Sequence, residues 1–134
     1  MTAFFDTNIL VYAATSDAKR QIANECLGRR GLASVQVLNE FVHVARRKLG
    51  HDWPHIEFAL GLFRASLDDV VPLTLNTHAG AVALAREHGL SFYDALIVAA
   101  ALEAGCDTSY TEDMQHGRKF GGLVIFNPFT EAAG

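Results

Sequence analysis

Short apolar runs alternate with longer amphipathic stretches along this chain. Ala3-Phe4-Phe5 is an apolar run of strand length that Asp6 interrupts, and Ile9 to Ala14 then resumes with helix-compatible residues. The pattern predicts a first strand over 2–6 and helix over much of 9–29. Ser16-Asp17 is expected to restart that helix with a fresh cap, and Gly28 and Gly31 to end it. Leu32 to Val35 reads as a short second strand. Gln36 to Leu49 reads as a helix stopped by Gly50. At about 100° per residue, Val37, Leu38, Phe41, Val42, Val44, Ala45 and Leu49 share one broad face of it. Asn39, His43, Arg46 and Arg47 share the other, and Glu40 falls on the border.

Asp52-Trp53-Pro54 opens the next helix, with Pro in its first turn, running to about Ser66. Asp69 to Leu73 is a short strand that Pro72 marks as ending or lying at an edge. Asn76 to His88 is helical and Gly89 ends it. Ser91-Phe92-Tyr93-Asp94 opens a helix to Ala104 that is apolar on every face between Ala95 and Leu102, so it should be buried. Thr108 to Thr111 is a strand, Glu112 to Gly122 a loop, and Leu123 to Phe126 the last strand. Strands alternating with helices argue for a parallel sheet covered on both sides. No repeat, low-complexity tract or linker interrupts the 134 residues, so one domain over 1–134 is expected.

Half of the residues are apolar, which permits a packed core and argues against disorder. The formal net charge of −4 is unlike that of a typical nucleic-acid binder. However, Asp6, Glu40, Asp94 and Asp113 together account for that whole excess. Cys26 and Cys106 lie far apart without CxxC spacing, which suits reduced core thiols and a cytoplasmic setting. The N-terminus has no signal-peptide pattern, and no apolar run is long enough to span a bilayer.

The acids carry the candidate chemistry. Asp6 ends a buried strand where the chain turns into a helix, the position at which α/β proteins bind ligands. Taken alone, it is equally a helix cap. Asp94 stands in the first turn of the greasy helix. Its spacing from Ser91 is that of a capping box, but a buried carboxylate is costly unless paired or metal-bound. Asp113 follows the Thr108–Thr111 strand as Asp6 follows the first, so a parallel sheet puts both at one edge; alone, it is an ordinary turn acid. Glu40 alone reads as a solvated border residue, and Glu112 as solvated and pointing elsewhere. Converging carboxylates repel and raise each other's pKa, so such a cluster persists at neutral pH only with a cation. Carboxylate and water ligands suit Mg²⁺ or Mn²⁺ and not zinc. The six His show no metal-ligand spacing; His116, in the acid-bearing loop, is the one of interest. Arg46-Arg47-Lys48 is a basic patch open to two readings, a favourable helix C-terminus or a phosphate contact.

Phe5-Asp6-Thr7-Asn8, Gln36 to Phe41, Ser91 to Ile97, Thr111 to Gly117 and Asn127-Pro128-Phe129, in this order, resemble PIN-domain ribonucleases, specifically the VapC-type toxins of toxin–antitoxin pairs. No single motif is specific; the ordered set covers essentially the whole chain. The resemblance implies a three-layer α/β/α fold with a mostly parallel sheet and Mg²⁺- or Mn²⁺-dependent endonucleolytic cleavage of RNA. It makes Asp6 and Asp94 the main metal ligands, with Glu40 and Asp113 completing the acidic pocket. Asn8 and Thr111 match polar positions that orient the acids or water. Val35 stands where similar sequences often have Thr, and Ser109-Tyr110 is a more polar strand end than usual; neither removes an acid.

The resemblance also implies a small antitoxin that blocks the pocket, and a homodimer. Tyr12, Leu27, Val42 and Phe58 are candidates for a groove that takes a partner helix. A receiver-like phosphoacceptor domain is the competing class, but Asp6 lacks an acidic neighbour and the last strand leads to Asn127-Pro128 rather than to a Lys. A phosphatase of the haloacid-dehalogenase type would want Asp where Asn8 stands. A third reading is an inert interaction domain whose acids are caps.

Overall fold

The computed structural model describes residues 2–15 and 18–133. Its elements are β1 (Ala3–Phe5), α1 (Thr7–Ala13), α2 (Arg20–Gly28), β2 (Leu32–Ser34), α3 (Val35–Arg47), α4 (Trp53–Ser66), β3 (Asp69–Val71), α5 (Leu75–His88), α6 (Phe92–Glu103), β4 (Thr108–Tyr110), β5 (Lys119–Phe120), β6 (Leu123–Phe126) and α7 (Pro128–Ala133). The strands form a six-stranded sheet in the order β3-β2-β1-β4-β6-β5. All pairs are parallel except β5 with β6. Helices on both faces complete a three-layer α/β/α architecture.

The sheet is short-stranded but deeply buried. Phe4 and Phe5 of β1 are fully enclosed, as are Ile9 and Leu10 of α1 and Ile125 of β6. Each such side chain stabilises the fold by roughly 1.5–3 kcal/mol through area removed from water. Helix α6 is buried continuously from Ala95 to Ala101, as its all-round apolarity requires. Helix α3 buries Val37, Phe41 and Ala45 and leaves Asn39, His43, Arg46 and Arg47 exposed, so its predicted faces hold. Gly31 permits the close approach of β1: a Cβ there would lie 2.6 Å from the Ala3 carbonyl oxygen.

Several local expectations change. The 9–29 stretch is two helices, and the first starts at Thr7 because Asp6 caps it. The Ser16-Asp17 restart lies outside the described residues. The 112–122 loop contains β5, which pairs back onto β6 through Gly121-Gly122, with Gly121 at φ 57°. Two residues are too short to show strand alternation; the Gly-Gly pair was the available hairpin signal. The chain also continues past β6 into α7, where Asn127 Oδ1 accepts from the Phe129 amide (2.9 Å) and Pro128 takes the first helical position. Cys26 and Cys106 are both buried free thiols.

Candidate metal centre

Strand register builds the site. Phe5 of β1 is the register partner of Tyr110 of β4. The next residues, Asp6 and Thr111, therefore meet at the carboxyl edge of two adjacent parallel strands. The Asp6 amide donates to the Tyr110 carbonyl (3.0 Å), and the Thr111 hydroxyl donates to Asp6 Oδ2 (2.7 Å). Asp6 Oδ1 accepts from the Thr7 amide (2.6 Å), which caps α1. One carboxylate thus serves as the cap of α1 and as a member of the strand-edge site.

Thr111 is saturated. Its hydroxyl, while donating to Asp6, accepts from Asn8 Nδ2 (3.2 Å) and from the Asp113 amide (3.0 Å). Asn8 Nδ2 also donates to Asp113 Oδ2 (3.1 Å), and Asn8 Oδ1 accepts from the Glu112 amide (3.3 Å). One Asn side chain thereby spans residues 111, 112 and 113. Asp94 arrives from the start of α6. Ser91 Oγ accepts from its amide (3.3 Å) as the N-cap. The Ser91 side chain also engages the Asp94 carboxylate and lowers its pKa somewhat, but among the described residues the Ser91 amide donates no bond to that carboxylate, so the capping box is not closed.

Asp6, Asp94 and Asp113 each offer one oxygen, and these oxygens lie within 4.8 Å of one another. Asp6 is buried, Asp94 half-buried and Asp113 exposed, so the cluster opens to solvent on the Asp113 side. Glu40 stands beside the trio rather than in it. Its Oε2 accepts from the Thr7 hydroxyl (3.2 Å), so Thr7 ties Glu40 to Asp6 through its side chain and its amide. Burial pushes the Asp6 carboxyl up to about 7, against the lowering effect of the bonds from Thr111 and Thr7; the charges of Asp113 and Glu40 add to the rise. Glu40 is raised by burial and by the charges of Asp94 and Asp113, and Asp94 by burial and the charge of Asp113. Carboxyl groups so placed are relieved by a cation. The three oxygen donors, with no His or Cys among them, fit a hard divalent ion such as Mg²⁺ or Mn²⁺.

Other candidates lie elsewhere. Arg46, Arg47 and Lys48 occupy the C-terminal end of α3, about 9–12 Å beyond Glu40 along the axis. The Arg46 guanidinium sits over the Trp53 ring (4.8 Å to the centroid) and donates to the His51 carbonyl (3.2 Å). His116 is structural: its Nδ1 accepts from the Asn127 amide (3.0 Å) and its ring packs edgewise on Phe126. Glu112 is not solvated as expected. Its side chain retains 21% exposure and engages Lys19 and the Tyr12 hydroxyl. Leu27, a candidate for a partner groove, packs mostly into the core, with its edge lining a cavity between α2 and α4 that Leu62 also borders. Thr7 is the site residue that sequence reasoning did not single out, although its place between Asp6 and Asn8 is where a bridging hydroxyl would stand.

The PIN-domain family model matches residues 3–119. The chain is a PIN-domain protein. Solved structures share this PIN fold at low identity. One is the sarcin–ricin-loop-cleaving toxin VapC20 of Mycobacterium tuberculosis, with 22% identity, a TM-score of 0.69, and 84% of this chain and 92% of that one covered. A toxin–antitoxin complex from Klebsiella pneumoniae shows 22% identity and a TM-score of 0.71, covering 95% and 98%. VapBC2 of Rickettsia felis, bound to a promoter DNA fragment, shows 20% identity and a TM-score of 0.67, covering 93% and 97%. No curated protein is similar enough to count as a match. PIN membership leaves the receiver-like and phosphatase readings without support. No helix of the described residues is long and apolar enough to cross a membrane.

Proposed function

We propose that this PIN-domain protein is a Mg²⁺- or Mn²⁺-dependent endoribonuclease that serves as the toxin of a toxin–antitoxin pair. The observation that carries the reading is the convergence of Asp6, Asp94 and Asp113 at the open carboxyl edge of the sheet. Its structural neighbours include a sarcin–ricin-loop-cleaving toxin and toxin–antitoxin complexes, which supports the same reading.

Asp6, Asp94 and Asp113 would hold the cation. A divalent ion so held activates water as a nucleophile and neutralises charge on a phosphate. The chain's own groups do the rest. The Thr7 amide and the Thr111 hydroxyl fix both oxygens of Asp6, so this carboxylate needs no reorganisation on binding. Glu40, held through Oε2 by the Thr7 hydroxyl, would help to position or deprotonate the attacking water. Asp113, on the exposed side, would share in placing the water. An acidic pocket repels a polyanion, so basic residues further out, with Arg47 and Lys48 as the candidates, would guide the RNA backbone.

The antitoxin would cover the helical side and seal the pocket. An Arg or Lys from it, inserted among Asp6, Asp94 and Asp113, would replace the cation. With Leu27 mostly in the core, the exposed apolar lining is on α4. Phe58 (69% exposed) and Leu62 (54% exposed) border a cavity of about 530 Å³ whose other wall is the end of α1, around Ala13 and Ala14. A homodimer is proposed on the same resemblance. The direct test is cleavage of purified RNA. Activity should appear with Mg²⁺ or Mn²⁺, vanish in EDTA and return on adding the ion; full cleavage in excess EDTA would refute the reading.

A further inference from the structure

Asp113 is the most exposed of the three clustered acids and stands on a loop rather than on a helix or strand. Something must hold that loop, and the residue before Asp113 shows what does. Glu112 accepts from the Tyr12 hydroxyl on Oε1 and from Lys19 Nζ on Oε2 (2.8 Å). Lys19 Nζ also lies 3.4 Å from the Tyr12 hydroxyl and over two rings, 4.8 Å from the centroid of Tyr12 and 5.3 Å from that of Phe129. Tyr12 and Phe129 meet edge to face, centroids 5.1 Å apart. The Glu112 amide is bound to Asn8 Oδ1, and the same Asn8 contacts Asp113 Oδ2 through Nδ2. The side chain of Glu112 therefore pins residue 112 from one direction while Asn8 pins residues 112 and 113 from the other.

We propose that the Lys19–Glu112–Tyr12 cluster is a latch that positions Asp113 for divalent-cation binding. Phe129, which lies beyond the family-matched residues 3–119, backs it from α7. This rests on the metal-centre reading above. The latch touches neither the cation nor the RNA; it acts through the backbone of residue 112. Losing a partner that orients a ligand typically weakens metal affinity by 10- to 100-fold.

A charge argument separates positioning from simple electrostatics. Removing the positive Lys19 beside an acidic centre should tighten cation binding if only the field mattered. The latch demands the opposite, since Glu112 then loses its ion pair and Asp113 its fixed place. Tyr12→Phe changes no charge and keeps the ring. The experiment is calorimetric titration of Mn²⁺ into the full chain for wild type, Tyr12→Phe, Lys19→Met and Lys19→Arg, with melting temperatures in EDTA alongside. Tyr12→Phe and Lys19→Met should bind Mn²⁺ about tenfold more weakly, and Lys19→Arg should keep wild-type affinity. Unchanged or tighter binding by Lys19→Met and Tyr12→Phe overturns the latch, even if their melting temperatures fall. If wild type itself binds no Mn²⁺, the metal-centre reading fails with it; if wild type binds and the variants match it, the latch alone fails.

Discussion

Thr111 donates its hydroxyl to Asp6 across the seam between β4 and β1, at 2.7 Å, from a residue with no solvent exposure. That hydroxyl has no spare capacity, because it also accepts from Asn8 and the Asp113 amide. Thr111→Val is nearly isosteric and removes all three bonds. We expect it to lower stability by about 1–3 kcal/mol, the usual cost of stranding buried polar groups, and to weaken Mn²⁺ binding. Urea unfolding at pH 8 measures the first. A variant as stable as wild type would contradict the role given to these three bonds.

The raised carboxyl of Asp6 makes the metal-free protein pH-sensitive. Its folded value of about 7 lies above the ordinary 3.8, so the folded state holds a proton that the unfolded chain has released. The stabilisation is fully present below about pH 4 and is lost as pH rises through 7, on the order of 4 kcal/mol for a shift of this size. Glu40 and Asp94 are raised too and act in the same direction. In EDTA the melting temperature should therefore fall from pH 5.5 to pH 8, and Mn²⁺ should restore it at pH 8. A melting temperature that rises across that window would contradict the placement of these acids.

Neutralising one of the repelling charges should help the apo fold while destroying the centre. Asp6→Asn and Asp94→Asn are expected to abolish RNA cleavage and to melt no lower than wild type in EDTA at pH 8. Differential scanning calorimetry decides this. If Asp6→Asn melts far below wild type, the cap on Thr7 outweighs the relieved repulsion.

The basic end of α3 divides into two parts. Arg46 is engaged by Trp53 and the His51 carbonyl, so its loss alters packing as well as charge. Arg47→Ala combined with Lys48→Ala is the cleaner variant. It should raise KM for RNA and flatten the dependence of binding on salt more than it lowers kcat. An unchanged salt slope would return this patch to a helix-end role.

Much of the site was legible in the sequence because it depends on strand ends. An acid just beyond the end of each of two buried parallel strands must reach the same edge, and Asp6, level with Thr111, and Asp113, two residues further on, do so. Asp94 was legible from the contrast between its charge and the apolar helix that follows. What the sequence concealed depends on long-range side-chain contacts. Glu112 reads as a wet loop acid until Tyr12 and Lys19, about a hundred positions earlier, fold beside it. Leu27 belongs mostly to the core and only edges a cavity, a division that periodicity cannot show. Strand β5 escaped because its two residues carry no period.

Inhibition by an inserted cation makes its own claim about the complex. If an Arg or Lys of the antitoxin occupies the place among Asp6, Asp94 and Asp113, the complex should bind Mn²⁺ far more weakly than the free protein. Equal Mn²⁺ affinity in both would leave steric exclusion of RNA as the means of inhibition.

The most direct measurement is RNA cleavage by wild type and Asp94→Asn, side by side, over a range of Mn²⁺ concentrations and in excess EDTA. The account predicts cleavage by wild type that rises with Mn²⁺ and disappears in EDTA, with none by Asp94→Asn at any concentration. Cleavage by Asp94→Asn at the wild-type rate, or by wild type in EDTA, would contradict the assignment of this acidic cluster as the centre of a metal-dependent ribonuclease.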